Sequence, residues 1–395
     1  MHTGKKGVFM NPKDFQKPEV GKVIRAKNGY WTFLPAKLPP KLDWTPRLAN
    51  ALSEAEYELG RLTTLAVNKP IVRLLTHPFL RREAVLSSRI EGTRASLVDL
   101  YLYESSQLPS LETSRDVIEV HNYVRALEDG LARLKVLPVS LRLMREVHAK
   151  LFENVRMGNL TPGDFRSTQN WIGPAGSTLD NATYVPPPVD EMHLALNTLE
   201  TFIHTDTTEL PALVRAGMIH YQFEVIHPFL DGNGRVGRML LILLLHEWEL
   251  LPHPLLNLSV YFEHFRQEYD DRLLAVTQRG HWEEWLLFFL KGISTEAQDG
   301  ITRLMRLEGI REKYAAILTL RADRNPARMS VVIDFLFSRP IFNNRQLADG
   351  LNIPYKTAGE YIDRLIQAGI LKEAAGQAGN RIFQADEILQ AAQGE

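Results

Sequence analysis

The stretch from His227 to Arg238 gathers an imidazole, a carboxylate, a glycine-rich turn and two guanidinium groups directly ahead of an apolar helix. Gly232, Asn233 and Gly234 accept positive φ and let the backbone approach a ligand closely. Placed at a helix start, their N–H groups and the positive end of the dipole form a cradle for an anion. Arg235 and Arg238, three positions apart on the first turn, project to one side. Cations at a helix N-terminus oppose the dipole by about 0.3–1 kcal/mol each when exposed, so two of them there point to an anion being held. Asp231 beside this positive site suits a divalent cation bridging to phosphate oxygens. His227 supplies a group that titrates near neutrality and can take a hydroxyl proton. The chemistry spelled out is phosphate binding with base-assisted attack.

Other readings fail on context. Gly232-Asn233-Gly234-Arg235-Val236-Gly237 matches the G-x-G-x-x-G dinucleotide fingerprint, but a helical pattern precedes it, and position 257, where an acid should stand, is Asn257. No G-x-x-x-x-G-K-[ST] occurs. His246-Glu247-Trp248-Glu249 lacks the second histidine of a zincin. A plain turn between two core helices would leave the paired arginines and the His–Asp combination without a reason. Tyr261, Phe265 and Tyr269 recur at helical spacing, which suits either an adenosine pocket or, more commonly, a core stripe.

The elements that must position these groups are mostly helical. The 395 residues are 45 % hydrophobic, carry 46 basic against 47 acidic residues and contain no cysteine. Disulfides, thiolate zinc sites and thiol nucleophiles are thereby excluded, and near-neutral charge argues against bulk coating of nucleic acid or an anionic membrane. The longest apolar run, Met239 to Leu245, is far short of the ~20 residues that span a bilayer, and the N-terminus has no signal-peptide pattern. A cytoplasmic protein is expected. The first ~45 residues, rich in Pro, Lys and Gly, read as an extended arm anchored by Trp31, Phe33 and Leu34. Ser53 with Glu56 has capping-box spacing for a first helix. A second should run from near Pro78 to Glu91, with Gly92 beyond its end. Helices are predicted over 114–134, 140–153, 190–204, 209–225, 235–250, 259–279, 281–298 and 300–323. Residues 169–172 and 183–185 predict one short hairpin, closed by Pro186 to Pro188. Then come a short helix (343–350), a turn, a second helix (355–368), and the pair 370–372 and 381–383 around a Gly-rich loop. That is the order of a winged helix, with a boundary near 325.

Position for position, His227 to Arg238 resembles the HPFx[D/E]GNGRxxR signature of Fic-domain proteins. Gly163–Arg166 and the segment ending at Tyr184-Val185-Pro186-Pro187 resemble that family's flap, and Ser87 to Gly92 resembles its [S/T]xxxE[G/N] inhibitory motif. The resemblance covers roughly residues 30–300. It implies a mainly α fold, a Fic helical bundle with a short β-hairpin flap, followed here by a winged helix. The corresponding division is an N-terminal arm and inhibitory helices (1–110), a catalytic core (111–300), a linking helix (301–325) and the winged-helix domain (326–395). It also implies transfer of AMP from ATP to a Tyr, Ser or Thr hydroxyl of a protein, with self-modification and a homodimer within its scope. By the same resemblance His227 is the general base, and Asp231 holds Mg²⁺. The phosphate-binding residues are Gly232, Asn233, Gly234, Arg235, Val236, Gly237 and Arg238: the first three form the anion hole, and Arg235 and Arg238 grip the β- and γ-phosphates. Glu91, with Ser87, pairs with Arg238 and inhibits, and the hairpin at Tyr184 holds the target in extended form. Relatives with this signature also transfer other phosphate-containing groups, and removal of AMP by the same site is a further alternative.

The tail supports a rival, a nucleotide-sensing regulator that binds DNA. Charge speaks against it: residues 341–395 hold five basic and seven acidic side chains, and the presumptive recognition helix carries Glu360 and Asp363. Phosphate neutralisation supplies most non-specific DNA affinity, so a protein-interaction or dimerisation module is favoured.

Overall fold

The computed structural model describes residues 10–15, 17–69, 72–105, 114–155, 161–205, 209–320, 326–374 and 381–394. The end of the expected linking helix (321–325) and the Gly-rich loop (375–380) lie outside them. A 3-10 turn (Pro12–Asp14) precedes strands β1 (Gly21–Arg25) and β2 (Trp31–Pro35). Helices α1 (Pro46–Asn68), α2 (Val72–Ile90), α3 (Leu97–Ser105), α4 (Arg115–Arg133), α5 (Leu141–Leu151) and α6 (Val189–His204) follow. Next are α7 (Ala212–Ile226), α8 (Asn233–Glu247), α9 (Leu258–His264), α10 (Arg266–Arg279), α11 (Trp282–Leu320) and α12 (Pro326–Ser338). The chain closes with β3 (Ile341–Asn343), α13 (Asn344–Leu351), α14 (Tyr355–Gln367), β4 (Lys372–Ala374), β5 (Ile382–Gln384) and α15 (Asp386–Gln393). The fold is mainly α, as expected, and no helix among the described residues is long and apolar enough to cross a membrane.

Several boundaries depart from the sequence reading for local reasons. The arm is a hairpin, not simply extended: β1 and β2 pair antiparallel with Val23 opposite Phe33. Its turn contains Asn28-Gly29, with Gly29 at φ 90°, the dipeptide best suited to such turns. Helix α1 starts seven residues before Ser53, at Pro46, where the Thr45 hydroxyl accepts the Leu48 N–H at 3.2 Å. Proline fits a first helical position because its missing N–H would have no partner there. Helix α2 begins at Val72 and carries Pro78 inside it; Gly92 beyond its end takes φ 102°, as a C-terminal glycine should. The single helix expected over 259–279 is two, broken at Phe265 (φ −107°, ψ 36°). Conversely, the patterns at 281–298 and 300–323 form one helix, α11, of 39 residues. The flap hairpin is reduced to one isolated bridge, Ile172 with Tyr184.

The chain divides into two compact units interleaved along the sequence. The first comprises Met1–Tyr57, Arg125–Glu249 and His264–Ser294. Its centre is α7, apolar and buried almost all round, as a helix enclosed by others must be. Helices α6 and α8 and strand β2 pack against it. Trp285, fully buried, donates its indole N–H to the Gly217 carbonyl of α7 at 3.0 Å. Ser140 caps α5 by accepting the Leu143 N–H, and Glu200 accepts the Leu141 N–H at 2.7 Å.

The second unit comprises Glu58–Val124, Leu250–Glu263 and Thr295–Glu395. Here β3, β5 and β4 form an antiparallel sheet in that order. Helix α12 packs on α2, β3 lies along α3, and α15 touches α2. Asn343 and Gln346 form a capping box on α13. Their amides also donate to the Ser105 and Glu104 carbonyls, at 2.9 Å each, satisfying the end of α3. Arg303 is 4 % exposed; its guanidinium donates to the Ala392 and Ala391 carbonyls (2.6 and 3.3 Å) at the end of α15 and pairs with Asp299. Replacing Arg303 with Ala strips a charged donor from buried carbonyls and should destabilise the protein by about 2–3 kcal/mol, read by urea denaturation of the full chain. A loss below about 0.5 kcal/mol would show that water replaces the guanidinium there.

Candidate active site

Helix α7 ends at His227, which takes the left-handed conformation (φ 49°, ψ 61°) while its N–H still bonds to the Phe223 carbonyl. For a residue with a Cβ this costs about 1–2 kcal/mol, and surrounding bonds hold it there. The His227 carbonyl accepts from Arg166 Nε at 3.0 Å and from Asn170 Nδ2 at 3.1 Å. The Pro228 carbonyl accepts the Arg166 N–H at 2.9 Å. Asn233 clamps the loop from the other end: its Oδ1 accepts the Phe229 N–H and its Nδ2 donates to the Phe229 carbonyl, both at 2.8 Å. Asn233 is therefore fully engaged with the loop and buried. The imidazole Nδ1 of His227 lies 3.2 Å from the Glu224 carbonyl. That carbonyl can only accept, so Nδ1 carries the proton and Nε2 is left as the basic nitrogen.

Gly232, the residue before α8, is also left-handed (φ 79°) and provides no side-chain cap. A Cβ there would come within 2.8 Å of the Phe152 ring. The first-turn N–H groups of α8 have no intrahelical partners and, without a cap, present the positive end of the helix. Arg235 and Arg238 are each 3 % exposed, so the two cations expected at this helix start are indeed held there, largely desolvated. The Arg235 guanidinium sits over the Phe152 ring, 5.1 Å from its centroid, and 3.7 Å from Asp231 Oδ1. The same oxygen accepts the Gly232 N–H at 2.6 Å. Gly237 permits close approach of α8 to α7: a Cβ there would meet Glu224 Oε1 at 2.2 Å and Phe223 at 3.1 Å. Val236, also buried, faces the core.

Two buried histidines support the site, His148 beneath the loop and His220 against α8. His148 stacks on Phe229 with ring centroids 3.8 Å apart. Its Nδ1 accepts the Gly163 N–H at 2.9 Å, so Nε2 carries the hydrogen and donates to the Asp231 carbonyl at 3.1 Å. His220 faces the Gly237 carbonyl through Nδ1 (3.1 Å) and the Tyr269 hydroxyl through Nε2 (2.7 Å). Burial pushes the imidazole of His148 down to about 4 and that of His220 to about 3. Sequence reading misses His148 and Asn170 because neither sits in a motif, and it takes Arg166 only as part of a flap stretch. A histidine inside the amphipathic pattern of α5 was the available signal.

The remaining candidates are placed as follows. Tyr184 is buried, its hydroxyl donating to the Val225 carbonyl at 2.8 Å and its backbone bonded to Ile172. Its side chain thus ties the segment to α7. Ser87 is fully buried in α2, and Glu91 is exposed in the turn following that helix. Tyr269 is a core residue bonded to His220, whereas Phe265 is 39 % exposed, so the aromatic series does not form one face. No cluster of three or more His, Asp or Glu side chains arranged for a metal occurs among the described residues. Asp231, with its side chain 45 % exposed, does fit a Mg²⁺ site of the kind completed by one protein carboxylate and substrate phosphates.

The histidines give the site a pH signature. Both native pKa values lie below the unfolded value of 6.5, so between about pH 4 and 6.5 the unfolded chain binds more protons. Stability conferred by the neutral rings is complete above 6.5 and is lost as pH falls towards 4, with a slope of up to about 1.4 kcal/mol per pH unit per histidine. Urea denaturation across that range should show the decline, and His148→Gln should flatten it; an unchanged slope in His148→Gln would remove His148 as a contributor.

Comparison with known proteins gives similarities in sequence and in fold. Residues 49–132 match the Fic/DOC family N-terminal region and residues 138–245 the Fic/DOC family domain. The chain is similar to the protein adenylyltransferase Fic of Culex quinquefasciatus, 28 % identical over 138 residues, which cover 32 % of this chain and 25 % of that protein. It is also similar to a protein of Aquifex aeolicus (strain VF5) named a probable protein adenylyltransferase, 26 % identical over 211 residues, 52 % of this chain and 61 % of that one. The chain thus spans less than two thirds of the length of these relatives. A solved structure of a Fic family protein from Desulfovibrio desulfuricans G20 shares the fold, with TM-score 0.58 and 18 % identity over 88 % of this chain and 98 % of that one. Residues 49–132 and 138–245 thus match the two Fic/DOC regions in sequence, and the chain carries a Fic domain.

Proposed function

We propose that this protein transfers AMP from ATP to a Tyr, Ser or Thr hydroxyl of a protein, itself included. The observation that carries the reading is the start of α8: an uncapped helix N-terminus behind a left-handed Gly232, with Arg235 and Arg238 buried in its first turn and Asp231 alongside. Triphosphate is the anion that uses two buried guanidiniums, a row of N–H groups and a cation-binding carboxylate together. The names of the relatives support adenylyl transfer in particular.

In this reading the α-phosphate rests against the N–H groups of Asn233 and Gly234, joined by that of Gly232 once it turns from Asp231 Oδ1, where charge develops as the hydroxyl attacks. Arg235 and Arg238 hold the β- and γ-phosphates. His227 takes the hydroxyl proton on Nε2 as the oxygen bonds to the α-phosphorus. The bond from that phosphorus to the oxygen bridging to the β-phosphate breaks, and pyrophosphate leaves. Asp231 would bind Mg²⁺, which supplies charge neutralisation on the phosphates. The hairpin near Tyr184 holds the target segment. Glu91, supported by Ser87, restrains the enzyme by engaging Arg238. The C-terminal elements from α12 to β5 act as a winged helix used for protein contact or dimerisation, and the protein works in the cytoplasm. The acidic balance of the tail and the use of Asn343 and Gln346 in internal bonds favour this over DNA reading.

The direct test is incubation with ATP labelled on the α-phosphate, label on protein being read by gel. Wild type should become labelled, and His227→Ala should fall about 10²–10⁴-fold in rate with ATP binding retained. Label transfer by His227→Ala at the wild-type rate would remove the proposed base.

Glu91→Gly should raise transfer about tenfold or more, an amount equal to about 1.4 kcal/mol per decade. The gain should be absent in Glu91→Gly/Arg238→Ala. Unchanged or lower activity in Glu91→Gly would end the autoinhibitory role.

A further inference from the structure

We infer that Arg166 is a positioning residue that locks the proposed base to the hairpin segment. The inference deepens the functional reading above and rests on it for the kinetic half of its test. Arg166 is 1 % exposed and has no carboxylate within ion-pair distance among the described residues. Its three arms instead reach three backbone carbonyls. Nε donates to His227 (3.0 Å), Nη1 to Thr168 (3.2 Å) and Nη2 to Pro187 (2.5 Å), while its own N–H donates to Pro228 (2.9 Å).

These carbonyls belong to three segments: the loop after α7, the entry to the hairpin, and its exit. Asn170, at the entry, adds its amide to the His227 and Phe229 carbonyls (3.1 and 2.8 Å). Tyr184, near the exit, donates to Val225 at 2.8 Å, and Gln169 donates to the Pro186 carbonyl at 2.9 Å. A buried guanidinium is costly to desolvate, and burial is what brings this one down to about 10; it stays charged at neutral pH. Carbonyl dipoles alone compensate it, so the carbonyls must stay oriented toward it. The planar fork also fixes the angle between the bonds in a way that an ammonium cannot. The outcome is that His227, in a backbone conformation it would not hold alone, is rigidly registered to the strand-like segment around Ile172 and Tyr184. A hydroxyl presented along that segment meets the imidazole at a set distance. Misplacement by ~1 Å can cost 10²-fold in rate.

The test uses the full chain with Arg166→Gln, Arg166→Lys and Asn170→Ala, read in two ways. The first is independent of activity: ring resonances of ¹³C-labelled histidine, with His227 assigned by its disappearance in His227→Ala. A single His227 ring signal is expected in wild type, and a shifted, broadened or doubled one in Arg166→Gln, with the signals of the remaining histidines largely kept. The second is a steady-state split: kcat of label transfer should fall about tenfold or more in Arg166→Gln, with the KM for ATP within about twofold, and Arg166→Lys should recover part of the loss. If Arg166→Gln does not fold, Asn170→Ala takes its place, with the same His227 signal change and a smaller fall in kcat. An unchanged His227 ring signal in the folded variants overturns the proposal, whatever reaction the enzyme performs. So does a kcat loss matched by an equal loss of ATP affinity, which marks a general structural role. A wild type that transfers no label, with the His227 signal still perturbed in Arg166→Gln, sinks the reaction and keeps the positioning.

Discussion

The site depends on a loop pinned at both ends by left-handed residues, His227 and Gly232. One carries the proposed base and the other opens the proposed phosphate cradle. Only Gly232 can hold that conformation without strain. His227 holds it because its carbonyl and those of Pro228 and Phe229 turn inward to donors from Arg166, Asn170 and Asn233. The cost of burying polar backbone is met by satisfying it completely, and the same bonds fix which way the imidazole faces. Remove the inward donors and three buried carbonyls would each lose ~1–3 kcal/mol, far more than the local strain they oppose.

Three guanidiniums are kept in low-polarity surroundings for two different purposes. Arg166 is spent on backbone and is closed to a ligand by its own hydrogen bonds. Arg235 and Arg238 stand at a helix start, where the dipole disfavours them, and Arg235 is partly offset by the face of Phe152 and by Asp231. In the proposed complex this electrostatically unfavourable arrangement would become favourable once a polyanion arrives. His148 and His220, kept neutral by burial, add no further positive charge to it.

The geometry of the candidate site was legible in the sequence because its residues are contiguous. Gly232, Asn233, Asp231 and both arginines sit in a dozen positions, and the left-handed glycine, the helix start and the buried cations are local consequences of that order. The helices with long apolar periods, α4 to α8, were equally legible. Short or long-range features were not. The N-terminal hairpin was lost although Asn28-Gly29 announces it, because proline and lysine around it suggested an arm. The break between α9 and α10 leaves the apolar period intact and shows only in the backbone of Phe265. Arg166 and Asn170 act through carbonyls about sixty positions away, and backbone acceptors leave no mark in a sequence. Likewise, the bonds of Asn343 and Gln346 to the end of α3 leave no mark in the short helical pattern over 343–350.

A crystal structure of the full chain with Mg²⁺ and a non-hydrolysable ATP analogue tests the central claim most directly. The account predicts phosphates against the first-turn N–H groups of α8 and between Arg235 and Arg238, with His227 still left-handed and its carbonyl still on Arg166. Phosphates bound elsewhere, or His227 relaxed to negative φ once the nucleotide is in place, would contradict it.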